Sequence, residues 1–339
     1  YTLAPGEARA FVVTQDGARI ASLGESDTIR VGVAALRLGS SGPEEPGAKT
    51  YLTERLIAPL RLPHGTKQVL VSPEGDLAHV PFALLLPDTI DVAYVPSGTL
   101  LGVLQDEQRM RQEVGKGVLA AGDPEYGNVR EQPTIGLRWG PVLAPLPQSR
   151  AEVKAIAKGP ADVALLGAEA SEGRLRQVLG APGPAGQTRW RCIHLACHGL
   201  LDVERPSDSA LALSRGDGED GFLTVLEIFR LRVPADLVVL SACQTGQGPY
   251  VRGEGVIGLP RAFMYAGAPR VLVSLWNVDD AATKALMVAF HDAWKPGVPA
   301  ARALHAAQIA VRDEQGPNGK RKWENPRYWA AWSLWGLPD

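Results

Sequence analysis

Ile-His-Leu-Ala-Cys-His-Gly at residues 193–199 and Val-Leu-Ser-Ala-Cys-Gln-Thr-Gly at residues 239–246 are the stretches that decide the fold. Each begins with an apolar run that is typical of a buried strand and ends in a turn of small residues. His198 stands at the first turn and Cys243 at the second. Ligands of an open parallel sheet bind beyond the carboxyl ends of its strands. The two stretches therefore predict an imidazole and a thiol on one edge of a sheet, a pairing suited to nucleophilic catalysis.

Short apolar runs recur along the rest of the chain with helical segments between them, which favours an α/β fold with a mainly parallel sheet and helices on both faces. Strands are predicted at 68–71, 91–95, 117–121, 162–166, 191–196, 237–240 and 270–275. Helices are predicted at 97–114, 149–158, 171–180, 224–230, 255–267, 280–294 and 299–315. Alternating apolar and polar residues around Asp16-Gly17 predict a hairpin within residues 1–24.

The alternation of side chains along a strand separates the histidines and cysteines of the first stretch. His198 is the last residue before a glycine and can leave the sheet, whereas His194 is expected to be a packed core histidine. Cys192 and Cys197 fall within the strand body and are expected to be structural. A zinc site from these residues is excluded, because an extended strand places Cys192 and His198 about 20 Å apart.

Composition excludes several classes of function. The 339 residues carry a net charge of -2, which gives no electrostatic argument for nucleic acid or for an anionic membrane. No apolar run is long enough to span a bilayer, and no secretory signal pattern is present. Three cysteines without a disulfide framework indicate reduced thiols, so we expect a cytoplasmic protein. The chain starts with Tyr1 rather than Met, which is compatible with an excised domain.

The chain resembles the CHAT family over nearly its whole length. Five ordered motifs carry the resemblance: His-Leu-Ala-Cys-His-Gly at 194–199, Leu-Ser-Ala-Cys-Gln-Thr-Gly at 240–246, Gly-Glu-Gly-Val-Ile-Gly-Leu at 253–259, Ser-Leu-Trp-Asn-Val-Asp-Asp at 274–280 and Asn-Pro-Arg-Tyr-Trp-Ala-Ala-Trp at 325–332. CHAT domains are caspase-like peptidases that are often fused to TPR repeats and are related to separase. The resemblance implies a caspase-like fold, a protein substrate and a TPR-containing or other regulatory partner.

The family's catalytic residues match His198 and Cys243, whose interval of 45 residues is close to the spacing of caspases. The resemblance also implies a non-catalytic, pseudo-peptidase-like portion at 1–145 and a catalytic portion at 146–339. The backbone N–H groups of Gly199 and Cys243 are candidates for an oxyanion hole. The chain is therefore predicted to be a cysteine endopeptidase with a His-Cys dyad.

Residues near the strand ends are candidates for recognising the substrate side chain before the cut. They are Ser241, Asp279 and Asp280, of which Asp280 resembles the separase acidic residue that faces a basic side chain. This favours Arg or Lys before the scissile bond. The alternative is that Asp280 caps a helix beginning at Ala281.

Two other functions remain open at this point. One is a non-catalytic CHAT-type interaction or scaffold module that keeps the fold. The other is a nucleotide binder, because residues 253–258 match Gly-x-Gly-x-x-Gly; no strand immediately precedes them, so the match is accidental in this interpretation. We expect no metal and no cofactor. We also expect control by a partner or fused region, because the glycine-rich residues 244–254 offer few apolar contacts to order the site.

Overall fold

A computed structural model of the chain describes residues 1–39, 46–111, 113–126, 143–202, 204–216, 218–241, 258–317 and 319–339. Its main feature is an eight-stranded sheet whose neighbouring strands are parallel, except for one pair. From edge to edge the order is β4 (Gln68–Val71), β5 (Asp91–Tyr94), β14 (Trp332–Gly336), β13 (Arg270–Ser274), β12 (Ala235–Leu240), β8 (Trp190–Ala196), β6 (Val118–Gly122) and β7 (Val163–Leu166). The predicted α/β fold with a mainly parallel sheet is confirmed, as are all seven predicted strands.

The middle of the sheet is apolar on both faces because its strands are nearly continuous runs of aliphatic residues. In β12, Val238 and Leu240 belong to one apolar core, whereas Val239 belongs to the other. Such a sheet must be covered on both sides by helices. The register of β8 against β12 pairs Leu195 with Leu240, which sets the relative position of the two strand ends.

Helices cover both faces, as predicted from the sequence. In chain order they are α1 (Ser26–Gly39), α2 (Pro46–Leu52), α3 (Phe82–Leu85), α4 (Gly98–Met110), α5 (Pro147–Ile156), α6 (Glu172–Leu179), α7 (Val225–Arg230), α8 (Gly258–Tyr265), α9 (Asp280–Ala293) and α10 (Ala300–Asp313). Phe263 of α8 packs into the core that holds Leu240. Phe290 of α9 and Leu304 of α10 pack into the core that holds Val239.

Two small antiparallel sheets complete the fold. The predicted hairpin is present as β2 (Glu7–Thr14) and β3 (Gly17–Gly24), with β1 (Thr2–Ala4) beside β2. The second sheet consists of β9 (His198–Leu200), β10 (Ala210–Ala212) and β11 (Phe222–Thr224), in the order β11-β10-β9. It was not predicted, because three-residue strands leave no clear alternation in the sequence. Only Cys197 separates the end of β8 from the start of β9, so β9 carries His198 away from the main sheet.

The division of the chain at residue 145 stays a prediction. Strands β4, β5 and β6 precede that residue, and the other five strands of the main sheet follow it. Strand β6 pairs with β8 directly, so the two portions share one sheet. No helix within the described residues is long and apolar enough to cross a membrane.

Candidate active site

His198 lies at the carboxyl end of β8, where the sequence predicts it. The chain bends at Cys197 and His198 begins β9, with its side chain only partly buried. Its backbone N–H donates to the Tyr126 hydroxyl at 3.2 Å, and the Tyr126 ring lies 5.2 Å from the imidazole, centroid to centroid. Burial raises the pKa of Tyr126 well above its ordinary value, so this phenol stays protonated at neutral pH. The strand end and Tyr126 together hold the histidine backbone in place.

A backbone carbonyl orients the His198 ring. Nε2 of His198 lies 2.7 Å from the carbonyl oxygen of Ala144, just before α5. A carbonyl oxygen accepts hydrogen bonds only, so Nε2 must carry the proton that it donates. This leaves Nδ1 as the nitrogen that can take a proton when the ring is neutral. The arrangement supplies the orienting group that an acid–base histidine needs without using a carboxylate.

The neighbouring strand β12 ends beside β8. Ser241, the first residue after β12, is buried, and its hydroxyl has no hydrogen-bond partner within the described part of the chain. Cys243 lies outside the described residues, as do all of the Gly-x-Gly-x-x-Gly match except Gly258. Gly199 is buried in β9, where it pairs with Leu211. The proposed oxyanion donors and the His-Cys dyad therefore stay predictions.

The structure corrects the alternative role considered for Asp280. Helix α9 begins at Asp280, not Ala281, and its N-cap is Asp279. Oδ1 of Asp279 accepts hydrogen bonds from the N–H groups of Ala281 and Ala282, both at 3.0 Å. Helix capping by Asp280 was thus wrong by one residue. The exposed Asp279 has a structural function that requires no substrate.

Asp280 instead contacts the first turn of α5. Its Oδ2 accepts a hydrogen bond from the backbone N–H of Gln148 at 3.0 Å, and the residue is partly buried. Burial raises the pKa of Asp280, the Gln148 N–H opposes this rise, and the nearby Glu152 and Asp279 charges add to it. The charge of His198 acts in the opposite sense, which places the carboxylate within electrostatic range of the imidazole. Asp280 is therefore a partly desolvated carboxyl group within electrostatic range of His198.

The two cysteines within the described part of the chain are inert. Cys192 and Cys197 are fully buried and unbonded to each other. Burial raises the pKa of Cys197 to about 12 and that of Cys192 well above its ordinary value. Neither forms a thiolate at neutral pH, so neither can act as a nucleophile. Their predicted structural role agrees with this burial.

A buried chain of polar groups lies behind the site. Nε2 of His194 is 2.7 Å from Oε1 of Glu152 in α5, and Nδ1 of His194 is 3.4 Å from Nε2 of His291 in α9. His194 and Glu152 are both fully enclosed. Burial, with the neighbouring His194, lowers the pKa of His291 well below its ordinary value. His194 is thus a satisfied core histidine, as the sequence indicates.

Sequence reasoning missed the groups that position His198. Ala144 acts through its backbone carbonyl, which leaves no mark in the sequence. Tyr126 is separated from His198 by 72 positions, and no local pattern connects them. The signal that could have drawn attention to Tyr126 is its position, an aromatic residue in the polar segment just after β6.

Comparison with protein families gives a direct assignment. The sequence model of the CHAT domain matches residues 48–336, which is most of the chain. The chain belongs to the CHAT domain family. The resemblance noted from the five motifs is confirmed.

Curated relatives of this CHAT domain are much longer proteins. Tetratricopeptide repeat protein 28 from Homo sapiens is 27% identical over 334 residues, and the protein of that name from Mus musculus is 26% identical over 336 residues. Each alignment covers 84% of this chain and 13% of the relative. The CHAT domain described here therefore spans only a small part of the length of these relatives.

Two solved structures are similar to this CHAT domain at low sequence identity. The separase of the Saccharomyces cerevisiae separase–securin complex has a TM-score of 0.45 and 14% identity, covering 78% of this chain and 15% of that chain. The Arg-specific cysteine proteinase gingipain R has a TM-score of 0.49 and 10% identity, covering 92% of this chain and 74% of that chain.

Proposed function

We propose that this CHAT domain is a cysteine endopeptidase in which His198 and Cys243 form the catalytic dyad. The observation that carries the proposal is the His198 ring, which stands at the carboxyl end of β8 with Nε2–H donated to Ala144 and Nδ1 left as a base. Family membership supports a peptidase-type fold. The substrate is proposed to be a protein, and a TPR-containing or other regulatory partner is proposed to control the enzyme.

The register of the sheet supports pairing of these two residues. Strands β8 and β12 are adjacent and parallel, and Leu195 pairs with Leu240. Three residues beyond each of these stand His198 and Cys243. Cys243 is two positions after the described Ser241, a chain length of at most about 7 Å. This short connection supports the proposal that the Cys243 thiol acts together with His198.

The proposed chemistry is acyl transfer in two stages. The Cys243 thiolate attacks the scissile carbonyl while the Cys243 thiol proton resides on Nδ1 of His198. Backbone N–H groups of Gly199 and Cys243 are proposed to stabilise the oxyanion. The imidazolium then gives its proton to the leaving amine, and the thioester remains. Water, deprotonated by His198, hydrolyses the thioester and regenerates the thiol.

Asp280 is the proposed recognition group for a basic side chain before the scissile bond. Its carboxylate is partly buried and retains a free oxygen beyond the Gln148 hydrogen bond, within the described contacts. The same burial that raises its pKa disfavours an uncompensated negative charge. An arginine or lysine would supply the missing positive charge through charge-assisted hydrogen bonds.

A covalent probe tests the catalytic proposal directly. An Arg-ending peptidyl acyloxymethyl ketone should label the wild-type chain once, at Cys243, as read by tryptic mass spectrometry. Cys243→Ala should abolish labelling, and His198→Ala should lower the labelling rate by about 10²–10⁴-fold. The matched controls are Cys197→Ala, which removes a buried thiol, and His64→Ala, which removes an exposed imidazole. Both controls should label at a near wild-type rate.

A non-catalytic interaction module is the second candidate. The curated relatives favour it: the CHAT domain aligns with only 13% of the length of a protein that is named for its tetratricopeptide repeats. This function predicts that no cysteine is labelled faster than a denatured control, although the fold is intact by circular dichroism. Labelling of Cys243 that depends on His198 excludes it.

A further inference from the structure

A cavity of about 380 Å³ lies at the edge of the main sheet where β12 and β13 begin. Asp236, the second residue of β12, and Arg270, the first residue of β13, both line it. His198 follows the carboxyl end of β8, which is parallel to β12. The six residues of β12 span about 20 Å, so this cavity is at the opposite edge of the sheet from the candidate active site.

The walls of the cavity combine two arginines with apolar groups. Arg111 directly follows α4, and Arg270 belongs to β13. The apolar part of the lining comes from Val114, Trp294, Val298 and Pro299. A volume of about 380 Å³ lies within the range of small-molecule sites, which is about 300–1,000 Å³. The cavity can therefore take a small molecule that has an apolar body and a charged group.

Arg270 is a buried cation with unused hydrogen-bond donors. The residue is 5% exposed, its Nη1 donates to the carbonyl oxygen of Asp236 at 3.2 Å, and its Nε has no partner within the described part of the chain. Burial lowers the pKa of Arg270 to about 10, the charges of Asp236 and Asp339 oppose this, and those of Arg111 and Arg189 add to it. A guanidinium carries five N–H donors, and the described residues give this one a single acceptor. A buried charge that is so poorly satisfied is stabilised by an anion placed beside it.

Arg111 brings a second guanidinium to the same cavity. Its described side-chain hydrogen bond is a long one, in which Nη1 donates to the neutral Oε1 of Gln108 at 3.4 Å. Burial lowers the pKa of Arg111 and the nearby charge of Arg189 lowers it further, whereas Asp236 opposes this. The charge of Arg111 also acts on Arg270, so the two guanidiniums are within electrostatic range of each other.

The carboxylates that line the cavity do not fully compensate these two charges. Both oxygens of Asp236 are engaged, Oδ1 by Nε of Arg189 at 2.5 Å and Oδ2 by the N–H of Gly115 at 2.8 Å. Glu113 and Asp339 are exposed, so water and salt screen their charges. Arg189 thus neutralises Asp236, and the two guanidiniums of the cavity wall keep donors for a ligand.

We propose that this cavity binds a small organic molecule through a carboxylate or phosphate group, with Arg111 and Arg270 as the anchoring residues. Hydrogen bonds from a guanidinium to an oxyanion are strong because both groups are charged, and the planar fork can hold two oxygens at once. The apolar body of the ligand would lie against Trp294 and Val298. The proposal does not depend on Cys243 or on peptidase activity.

Three ring-bearing probes of similar size test this class of ligand: phenyl phosphate, benzoate and the neutral benzyl alcohol. Each is titrated into the full chain by isothermal calorimetry at neutral pH, with sodium chloride added to keep the ionic strength constant. We expect one saturable site for at least one anion, with a rise in Tm that grows with its concentration. Benzyl alcohol should not bind measurably, because it offers the guanidiniums no charge. Tighter binding of phenyl phosphate assigns a phosphate ester, and tighter binding of benzoate assigns a carboxylate.

Arg111→Gln is the decisive variant, because Arg111 follows a helix, is only partly buried and can be replaced without disturbing β13. It should weaken binding of the anion at least about tenfold through loss of a charge-assisted hydrogen bond. Arg270→Gln should weaken binding as well. The matched control is Arg109→Gln, which removes an exposed arginine of α4 that pairs with Asp106 and does not line the cavity. This control should bind the anion as the wild type does.

Three results would overturn the proposal. One is that neither anion binds saturably up to about 10 mM. Another is that benzyl alcohol binds as tightly as the anions, which would mean that the apolar walls alone hold the probe. The third is that Arg111→Gln, with its fold intact by circular dichroism, binds the anion no more weakly than Arg109→Gln does.

Discussion

At the scale of single residues, Asp279 and Asp280 are neighbours in sequence with different surroundings. Asp279 caps α9 with Oδ1, whereas Asp280 accepts a hydrogen bond from the Gln148 N–H and lies within electrostatic range of His198. Their side chains have the same chemistry, so each is the natural control for the other. A function that belongs to one carboxylate should be lost when that residue is replaced and kept when the other is replaced.

The first prediction concerns substrate preference and rests on the proposed peptidase activity. Asp280→Asn should lower the Arg-over-Leu ratio of kcat/KM on matched peptides by about tenfold or more, because a charge-assisted pair is lost. Asp279→Asn should leave that ratio unchanged. Asp279→Ala should reduce the free energy of unfolding by about 1 kcal/mol through loss of the cap. A ratio that falls with Asp279→Asn instead would transfer the recognition role to Asp279.

The second prediction concerns pH and His291. Its pKa is held well below the ordinary value of 6.5 by burial, so the unfolded chain binds a proton more readily than the folded chain. Its contribution to stability is present above pH 6.5 and is lost as the pH falls below that value. His291→Gln should therefore reduce the loss of stability between about pH 7 and pH 5. Urea unfolding at a series of pH values checks this.

Exposed His64 is the control for that titration, because replacing it leaves the buried polar chain intact. His64→Gln should follow the wild-type pH profile. If His291→Gln keeps the full decline between pH 7 and pH 5, protonation of His291 does not account for it.

Residue-scale prediction from the sequence succeeded where a side chain ends a strand. His194 lies within β8 and His198 begins β9, and the glycine that follows His198 distinguished the partly buried ring from the buried one. The hydrogen bond to the Ala144 carbonyl could not be predicted, because it depends on a backbone group brought there by tertiary structure. The Asp280 cap was predicted one residue too late, because helix starts are known from sequence only to within a few residues.

At the scale of elements, β14 is the strand of the main sheet that the sequence did not predict. Its Trp-Ser-Leu-Trp-Gly sequence was considered only as part of a family motif, although it pairs with β13 as the antiparallel neighbour within the main sheet. Trp335 is fully buried and stacks on Tyr94 of β5 at 5.1 Å between ring centroids. Tyr94 in turn donates its hydroxyl to Val80 at 2.8 Å. Such pairing depends on tertiary contacts and leaves little local signal.

The third prediction follows from that packing. Trp335→Ala should reduce the free energy of unfolding by about 3–5 kcal/mol, since it empties a buried aromatic position between β5 and β13. Chemical denaturation followed by circular dichroism measures the loss. Tyr265→Ala, at an exposed aromatic position, should change stability far less. Equal losses in the two variants would mean that the Trp335 contact is not what joins β14 to the sheet.

At the scale of the whole molecule, the CHAT domain is a small part of its longer relatives, which are named for tetratricopeptide repeats. The sequence allowed both the fold and the family to be predicted, because apolar strands and family motifs recur along the chain. It gave no grounds for the substrate or for the activating partner. Those depend on surfaces outside one chain.

The last prediction joins this architecture to the candidate site. Residues 244–254, next to Cys243, are glycine-rich and polar, so the sequence provides few apolar side chains to stabilise a catalytic arrangement there. These residues lie outside the described part of the structure. We expect this chain alone to have low basal turnover, and a TPR-containing partner that binds it to raise kcat/KM by at least about tenfold, equivalent to 1.4 kcal/mol. Fluorogenic Arg peptides measure turnover with and without the partner, and Cys243→Ala sets the background. High basal turnover that the bound partner leaves unchanged would show that the CHAT domain needs no external control.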